Sequence, residues 1–282
     1  MKIITEKRAI IGECPIWNEK DGLLYYVCGA EKEICTYNPK NDEIFSYKQD
    51  IAVSSIAFTK DGRMIAARED GVFFLDRKSG KTERLYDEST SLTRLNDAKV
   101  GPDGALYVGS IGERWLKISE KADGKLYRIS PEGKVNTLAE GFILSNGLDW
   151  SIDEKFFYLV DTGDSSVRKY EFDSKSGEIS ATAIVATVNG ADGLTVNQKG
   201  EVLVACWGYK KIEVLDGENL NKLREIQVPT RAPASCGFFG RNMNLLAITT
   251  ASLNTNLDSD NNAGMLIIAE EQTPGRKPYL FG

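Results

Sequence analysis

The sequence predicts an all-β fold, a six-bladed β-propeller with four antiparallel strands in each blade. One pattern recurs six times along the 282 residues: an apolar run, a turn and a second apolar run. The turn residues lie 40 to 50 residues apart and are Asp21, Asp61, Asp103, Asp153, Lys199 and Asn242. This near-constant period fits four short strands per repeat and disfavours a β-sandwich, the competing all-β fold.

Each repeat starts with a predicted β-hairpin. The first three turns contain Asp-Gly between apolar runs, a strong hairpin signal because glycine accepts the positive φ of a tight turn. A second β-rich pair follows, as in residues 71–86 and 125–138. The first strand, Lys2 to Glu6, has no hairpin partner and is expected to pair with the last blade and close the ring. No linker interrupts the chain, so residues 1–282 are predicted to form a single domain.

The composition argues against several partners. The net charge is −6 and no segment concentrates Lys and Arg, so neither nucleic acid nor an anionic membrane is expected as a partner. The N-terminal apolar run is too short for a signal sequence, and no run reaches the roughly 18 apolar residues of a membrane helix. The five cysteines are odd in number and scattered, which predicts free, mostly buried thiols and a cytoplasmic location: Cys14, Cys28, Cys35, Cys206 and Cys236.

Histidine is absent from the sequence. This excludes the commonest general base, the commonest zinc ligand and every Ser-His or Cys-His nucleophile pair. Catalysis would therefore depend on carboxylates, amides, Lys, Arg, Tyr, thiols or a bound cation.

Equivalent positions in the six repeats carry polar residues. Seven or eight residues before each turn residue stand Glu13, Ser54, Asn96, Asn146, Asp192 and Ser235. Four residues further on, every position is apolar: Trp17, Phe58, Val100, Trp150, Val196 and Phe239. Because strand side chains alternate with period two, both sets are expected on one face, and the polar set is expected to converge at one end of the central channel.

The convergence of two carboxylates and two amides predicts a hard divalent cation with oxygen ligands. Calcium, magnesium or manganese suit such a set, whereas zinc usually prefers His or Cys. The alternative is a water-filled channel that simply tolerates polar residues, and this is the interpretation for Ser54 and Ser235.

Five strings occur in order at the blade spacing: Gly12 to Trp17 (GECPIW), Arg94 to Asp97 (RLND), Ser145 to Trp150 (SNGLDW), Ala191 to Val196 (ADGLTV) and Cys206 to Gly208 (CWG). Together they resemble the regucalcin-like senescence-marker-protein/gluconolactonase/luciferin-regenerating-enzyme family, over essentially the whole chain. The resemblance implies a six-bladed propeller with one divalent cation at the channel mouth, calcium being favoured over zinc, manganese or magnesium. It also implies that Glu13, Asn146 and Asp192 are metal ligands.

The resemblance further implies that Arg94 and Asn96 hold the substrate. Glu113 is assigned as a substrate-contacting carboxylate, although its loop departs from the usual spacing. Substrate specificity is expected in the loops of residues 87–92 and 111–122. Cys14 replaces the small residue usual after the ligand Glu and is interpreted as a packing variation, with a reactive thiol as the alternative.

The implied activity is hydrolysis of a small-molecule sugar-acid lactone by a monomer or weak homo-oligomer. Asp192 would be the general base, Arg94 would donate to the ring or carbonyl oxygen, and Asn96 would donate to hydroxyls. An organophosphate or aryl-ester hydrolase on the same scaffold is one alternative. A calcium-binding regulator or carbohydrate-binding propeller without turnover is another.

Overall fold

The computed structural model describes residues 1–76, 81–87, 94–111 and 122–282. These residues form 24 strands, β1 to β24, arranged as six antiparallel four-stranded sheets. The predicted all-β, six-bladed propeller is confirmed. Among the described residues, no helix has the length and apolar character needed to cross a membrane.

Five blades each take four consecutive strands, running from the channel outwards. The first blade consists of β2 (Gly12–Asn18), β3 (Leu23–Cys28), β4 (Glu33–Tyr37) and β5 (Ile44–Lys48). The second consists of β6 (Val53–Phe58), β7 (Met64–Arg68), β8 (Gly71–Leu75) and β9 (Thr82–Asp87). The third consists of β10 (Arg94–Val100), β11 (Leu106–Ile111), β12 (Gly124–Ile129) and β13 (Val135–Phe142). The fourth consists of β14 (Ser145–Trp150), β15 (Phe156–Asp161), β16 (Ser166–Asp173) and β17 (Glu178–Thr187). The fifth is β18 (Ala191–Val196), β19 (Val202–Cys206), β20 (Lys211–Leu215), β21 (Lys222–Gln227).

The sixth blade closes the ring. Its strands are β22 (Pro233–Phe239), β23 (Leu245–Thr250), β24 (Leu266–Glu270) and the N-terminal β1 (Lys2–Ile4). The outermost strand β1 pairs antiparallel with β24, with Ile3 opposite Ile267. Ile4 is buried in the core shared by the first, fifth and last blades. The predicted closure by the N-terminal strand is therefore confirmed.

The hairpin turns between the first and second strands of each blade adopt the backbone that the sequence predicts. In all six, the residue after the turn residue has a positive φ: Gly22, Gly62, Gly104, Glu154, Gly200 and Met243. Glycine occupies four of these positions because the left-handed region costs it no steric penalty. Glu154 and Met243 show that the repeat imposes the same turn even on residues with a side chain.

The apolar cores lie between neighbouring blades. Between the third and fourth blades, Trp150 packs against Tyr107 and Phe157 at centroid distances of 4.9 and 5.1 Å, with all three rings fully buried. Edge-to-face and tilted contacts of this kind add to the stabilisation from burial.

Residues 274–282, the closing segment, cross the end of the channel where the innermost strands finish. The segment contacts all six blades, through Lys277 to Glu19, Phe281 N to Phe58 O, Gly282 N to Gly104 O, Arg276 to Asp149, Gln198 N to Pro274 O and Gly275 N to Met243 O. The main-chain bonds in this set measure 2.8 to 3.1 Å. The channel is covered at this end, so the opposite end, where the innermost strands begin, is its mouth.

Candidate active site

Every innermost strand carries a β-bulge near the mouth. Pairing with the second strand shifts at Glu13/Ile16, Val53/Ser55, Leu95/Ala98, Ser145/Leu148, Ala191/Leu194 and Pro233/Ser235. A bulge adds one residue to one strand and changes the direction of the side chains beside it. The six predicted polar positions all lie within or at the edge of these bulges.

The bulges overturn one expectation. In the fourth blade, Asn146 and Trp150 do not share a face, because the extra residue of the bulge reverses the alternation between them. Asn146 contacts Asp192 of the following blade, whereas Trp150 packs against Tyr107 of the preceding blade. The side chain of Asn146 therefore faces Asp192, while its strand continues into the core between blades.

Asn146 and Asp192 meet at the mouth. Asn146 Nδ2 donates to Asp192 Oδ1 and to Thr162 Oγ1, the latter at 3.1 Å, and both Asn146 and Asp192 are buried. Thr162 in turn donates to the main-chain oxygen of Ala191 at 2.7 Å. Gly147 permits this approach, because a Cβ there would lie 2.3 Å from Leu194 N.

Glu13 and Asp192 are close enough for their charges to interact. Burial, followed by the charges of Asp192 and Asp97, raises the pKa of Glu13 well above its usual value. Burial and then the charge of Asp97 likewise raise the pKa of Asp192, against the opposing effect of the Asn146 hydrogen bond. Like charges in a poorly solvated site repel, so protons or a cation must compensate them.

The oxygens of Glu13, Asn146 and Asp192 suit a hard divalent cation by their chemistry. Within the described ranges, no three Cys, Asp or Glu side chains are placed to hold one ion between them. A cation at the mouth would therefore depend on two carboxylates and an amide oxygen, completed by water or substrate.

Asp97 is a third acidic group at the mouth, and the sequence had assigned no role to it. Its pKa is raised by burial, although the charge of Lys99 opposes the shift. Ser55 Oγ lies 3.3 Å from Asp97 Oδ1. The position of Asp97 directly after Asn96 could have indicated it in the sequence, because a β-bulge can direct two successive side chains towards the channel. Thr162 had no signal in the sequence.

The predicted substrate residues have different surroundings. Arg94 begins β10 and is partly buried, and burial lowers the pKa of its guanidinium. Asn96 Nδ2 donates to Ser145 O at 2.9 Å, and within the described part of the chain its second amide hydrogen and Oδ1 remain for a ligand. Glu113 lies outside the described residues, as does most of each proposed specificity loop.

Comparisons with known proteins agree with this architecture. Residues 11–252 match the SMP-30/gluconolactonase/LRE-like region. The chain belongs to the SMP-30/gluconolactonase/LRE-like family. It is 29% identical over 98% of its length to YvrE of Bacillus subtilis, which carries the provisional name sugar lactone lactonase and is covered to 97%. It is 29% identical over 85% of its length to regucalcin of Oryctolagus cuniculus, which is covered to 83%. The structure of the calcium-binding protein regucalcin from Agrobacterium tumefaciens superposes with a TM-score of 0.90 at 22% identity, covering 99% of this chain and 96% of the other.

In this SMP-30/gluconolactonase/LRE-like protein, Cys14 follows Glu13 with a φ of 50°. Its thiol is buried, Ser55 Oγ lies 3.1 Å away and Ile56 N donates to it at 3.3 Å. Burial raises its pKa to about 12, so the thiol is protonated at neutral pH. These contacts support the interpretation of Cys14 as a packing variation.

Further down the channel, Asp149 forms the centre of a buried ionic cluster. Its carboxylate pairs with Arg276 of the closing segment and, at 3.0 Å, with Lys99. A cavity of about 70 Å³ is lined by all three members of this cluster and also by Cys14 and Asp97. Sequence reasoning missed the cluster because its three members come from distant repeats.

Proposed function

We propose that this protein is a metal-dependent hydrolase that opens sugar-acid lactones. The contact between Asn146 and Asp192 at the mouth, with Glu13 electrostatically coupled to it, carries the proposal. Membership of a family named for gluconolactonase and similarity to a protein named as a sugar lactone lactonase support this substrate class.

Glu13, Asn146 and Asp192 would hold one divalent cation. Calcium is favoured because all three donors are oxygens and because a relative of the same fold is named a calcium-binding protein. Zinc, manganese and magnesium are the alternative cations. When bound, the cation supplies positive charge that keeps both carboxylates ionised and polarises the lactone carbonyl.

Asp192 is the proposed general base. Oδ1 accepts from Asn146 and would also be the oxygen that holds the cation, which leaves Oδ2 to accept a proton from the attacking water. The water oxygen adds to the carbonyl carbon, and the bond from that carbon to the ring oxygen breaks. The proton returns to the ring oxygen, and the product is the open hydroxy acid.

Arg94 and Asn96 are proposed to orient the substrate from β10. The guanidinium of Arg94 donates to the ring or carbonyl oxygen, and the free positions of the Asn96 amide contact sugar hydroxyls. The bond from Asn96 to Ser145 O holds the amide in place before the substrate arrives. Such preorganisation reduces the entropy lost when a polyhydroxylated substrate binds.

The test of the base is the Asp192→Asn variant, assayed by acid release from five- and six-carbon aldonolactones in a pH-stat. Turnover is expected to fall by at least about a hundredfold. Without metal, the variant is expected to be at least as heat-stable as the metal-free parent, because the substitution removes a buried charge that repels Glu13. Asp258→Asn, in an exposed loop, is the matched control and keeps full activity. Undiminished turnover by Asp192→Asn would exclude this residue as the base.

Metal dependence is tested by chelation, reloading and calorimetry. Activity is expected to vanish after exhaustive chelation and to return with one of calcium, zinc, manganese or magnesium, while Glu13→Gln weakens metal binding. Full activity of the stripped protein would contradict the proposal. Tight metal binding without acid release from any lactone would favour the regulatory or carbohydrate-binding alternative, and turnover of a phosphotriester but no lactone would favour the organophosphate hydrolase.

A further inference from the structure

Two thiols touch in the first blade, away from the mouth. Cys28 of β3 and Cys35 of β4 are both fully buried, with their Sγ atoms 3.3 Å apart. In the strand register Cys28 lies opposite Glu33 and Cys35 opposite Tyr26, so the two cysteines are diagonal neighbours on one face. All five cysteines are free and buried, as predicted, but nothing in their spacing indicated that two of them touch.

The surroundings make the two sulfurs unequal. The hydrogen bond between them lowers the pKa of Cys35 and raises that of Cys28. Ser46 Oγ lies 3.5 Å from Cys35 Sγ, and the positive charge of Lys7 also favours the Cys35 thiolate. The neighbouring Ser46 hydroxyl and the charge of Lys7 favour the thiolate at Cys35, so Cys35 is assigned as the attacking sulfur, because the thiolate is the reactive form.

We propose that Cys28 and Cys35 form a redox-active dithiol that a peroxide converts to a reversible disulfide. The Cys35 thiolate attacks one peroxide oxygen, the O–O bond breaks, and a proton completes the water that leaves, which gives a sulfenic acid at Cys35. The Cys28 thiol then attacks that sulfur and a second water leaves. In total, two thiols and one hydrogen peroxide give one disulfide and two waters.

Formation of the bond requires movement of the sulfurs and of the backbone. The sulfurs must approach from 3.3 Å to the disulfide bond length of about 2.05 Å. Diagonal neighbours in a sheet are typically about 7–8 Å apart, which exceeds the usual Cα separation of a disulfide, so β3 and β4 must shift for the bond to close. A disulfide that closes only when the backbone shifts is more easily reduced than a structural one, which suits this pair to reversible oxidation. Exposed Ser46 lies next to Cys35 and marks the side from which a peroxide reaches the pair.

The pair is connected to the mouth through the main chain. Cys28 is the strand partner of Gly12, the residue before Glu13. Movement of β3 on oxidation is expected to displace Glu13 and to lower lactone turnover several-fold, a consequence that rests on the proposed function.

Peptide mapping tests the bond without any variant. Lys32 lies between the two cysteines, so trypsin separates residues 21–32 from residues 33–40 unless a disulfide joins them. The full-length protein is treated with hydrogen peroxide, alkylated in denaturant and digested with and without dithiothreitol. A joined peptide that dithiothreitol splits is the expected result. Separate peptides, with Cys35 unmodified or as the sulfinic acid, would overturn the proposal.

Activity provides the second measurement. Peroxide is expected to lower the turnover of the parent reversibly, but not that of Cys35→Ser. Cys206→Ser is the control, because it removes a thiol of the fifth blade, and peroxide should lower its turnover as it does in the parent. Equal peroxide inhibition of Cys35→Ser would refute the coupling to the mouth and point to another thiol such as Cys14. If reduced protein has no lactonase activity, the proposed function fails while the peptide result stands independently.

Discussion

Replacement of Arg276 by alanine tests how strongly the closing segment holds the ring. Arg276 donates to Trp150 O at 3.0 Å and pairs with the carboxylate of Asp149. The two side chains are 17% and 5% exposed, so the ion pair is largely shielded from water. Removal of the guanidinium leaves a buried carboxylate with less compensating charge.

The expected loss of stability depends on the partners that Asp149 keeps in the variant. Loss of one member of a buried ion pair typically costs about 3–5 kcal/mol. Here Lys99 Nζ stays at 3.0 Å from Asp149 Oδ2, and the main-chain nitrogens of Trp150 and Val196 still donate to the carboxylate. The expected loss is therefore smaller, about 2–3 kcal/mol, which corresponds to roughly 4–6 °C in melting temperature for a chain of this size.

The assay is chemical and thermal unfolding of the parent and the variant at neutral pH. Lys277→Ala is the matched control, since the neighbouring Lys277 pairs with Glu19 while both side chains are 60% exposed. An exposed pair contributes little, so this control should lose less than about 1 kcal/mol. A double-mutant cycle with Asp149→Asn should show a coupling of about 1–2 kcal/mol.

A loss below about 1 kcal/mol for Arg276→Ala, equal to that of Lys277→Ala, would refute the reasoning. It would mean that Lys99 alone compensates Asp149 and that the closing segment contributes little to ring stability.

Three further predictions concern stability. Arg276 and Lys99 overcome the effect of burial and lower the pKa of Asp149. The ionised carboxylate therefore contributes to the free energy of unfolding above the unfolded pKa of about 3.9, and this contribution is lost as the pH falls through the lower folded pKa. In urea titrations at several pH values, the stability difference between the parent and Asp149→Asn should shrink below about pH 4. Gly193→Ala should cost about 1–3 kcal/mol, because its Cβ would lie 2.2 Å from Ser235 Oγ and 2.7 Å from Ser235 Cα; an unchanged urea midpoint would contradict this contact. Ile4→Ala should destabilise the closing strand by about 2–4 kcal/mol in the same assay, whereas Ile10→Ala, exposed at 43%, should have little effect.

The sequence alone determined the architecture. Hairpin turns are local, so the six turn residues and their spacing were sufficient to predict six blades, and the unpaired first strand was sufficient to predict ring closure. The polar residues at the start of the innermost strands and the five family strings also located the candidate site at the mouth. These signals lie within short segments, where neighbouring residues determine the conformation.

Only the tertiary structure decided which side chains meet. The bulges reverse the strand alternation, so the period-two argument assigned Trp150 to the wrong face. The proximity of Asp97 to the site carboxylates, the Asp149 ion pairs and the contact between Cys28 and Cys35 depend on how blades and strands pack. Such contacts join residues far apart in the chain or on diagonal strand positions. Their geometry is set by the closure of the ring and the twist of each sheet, which no local pattern encodes.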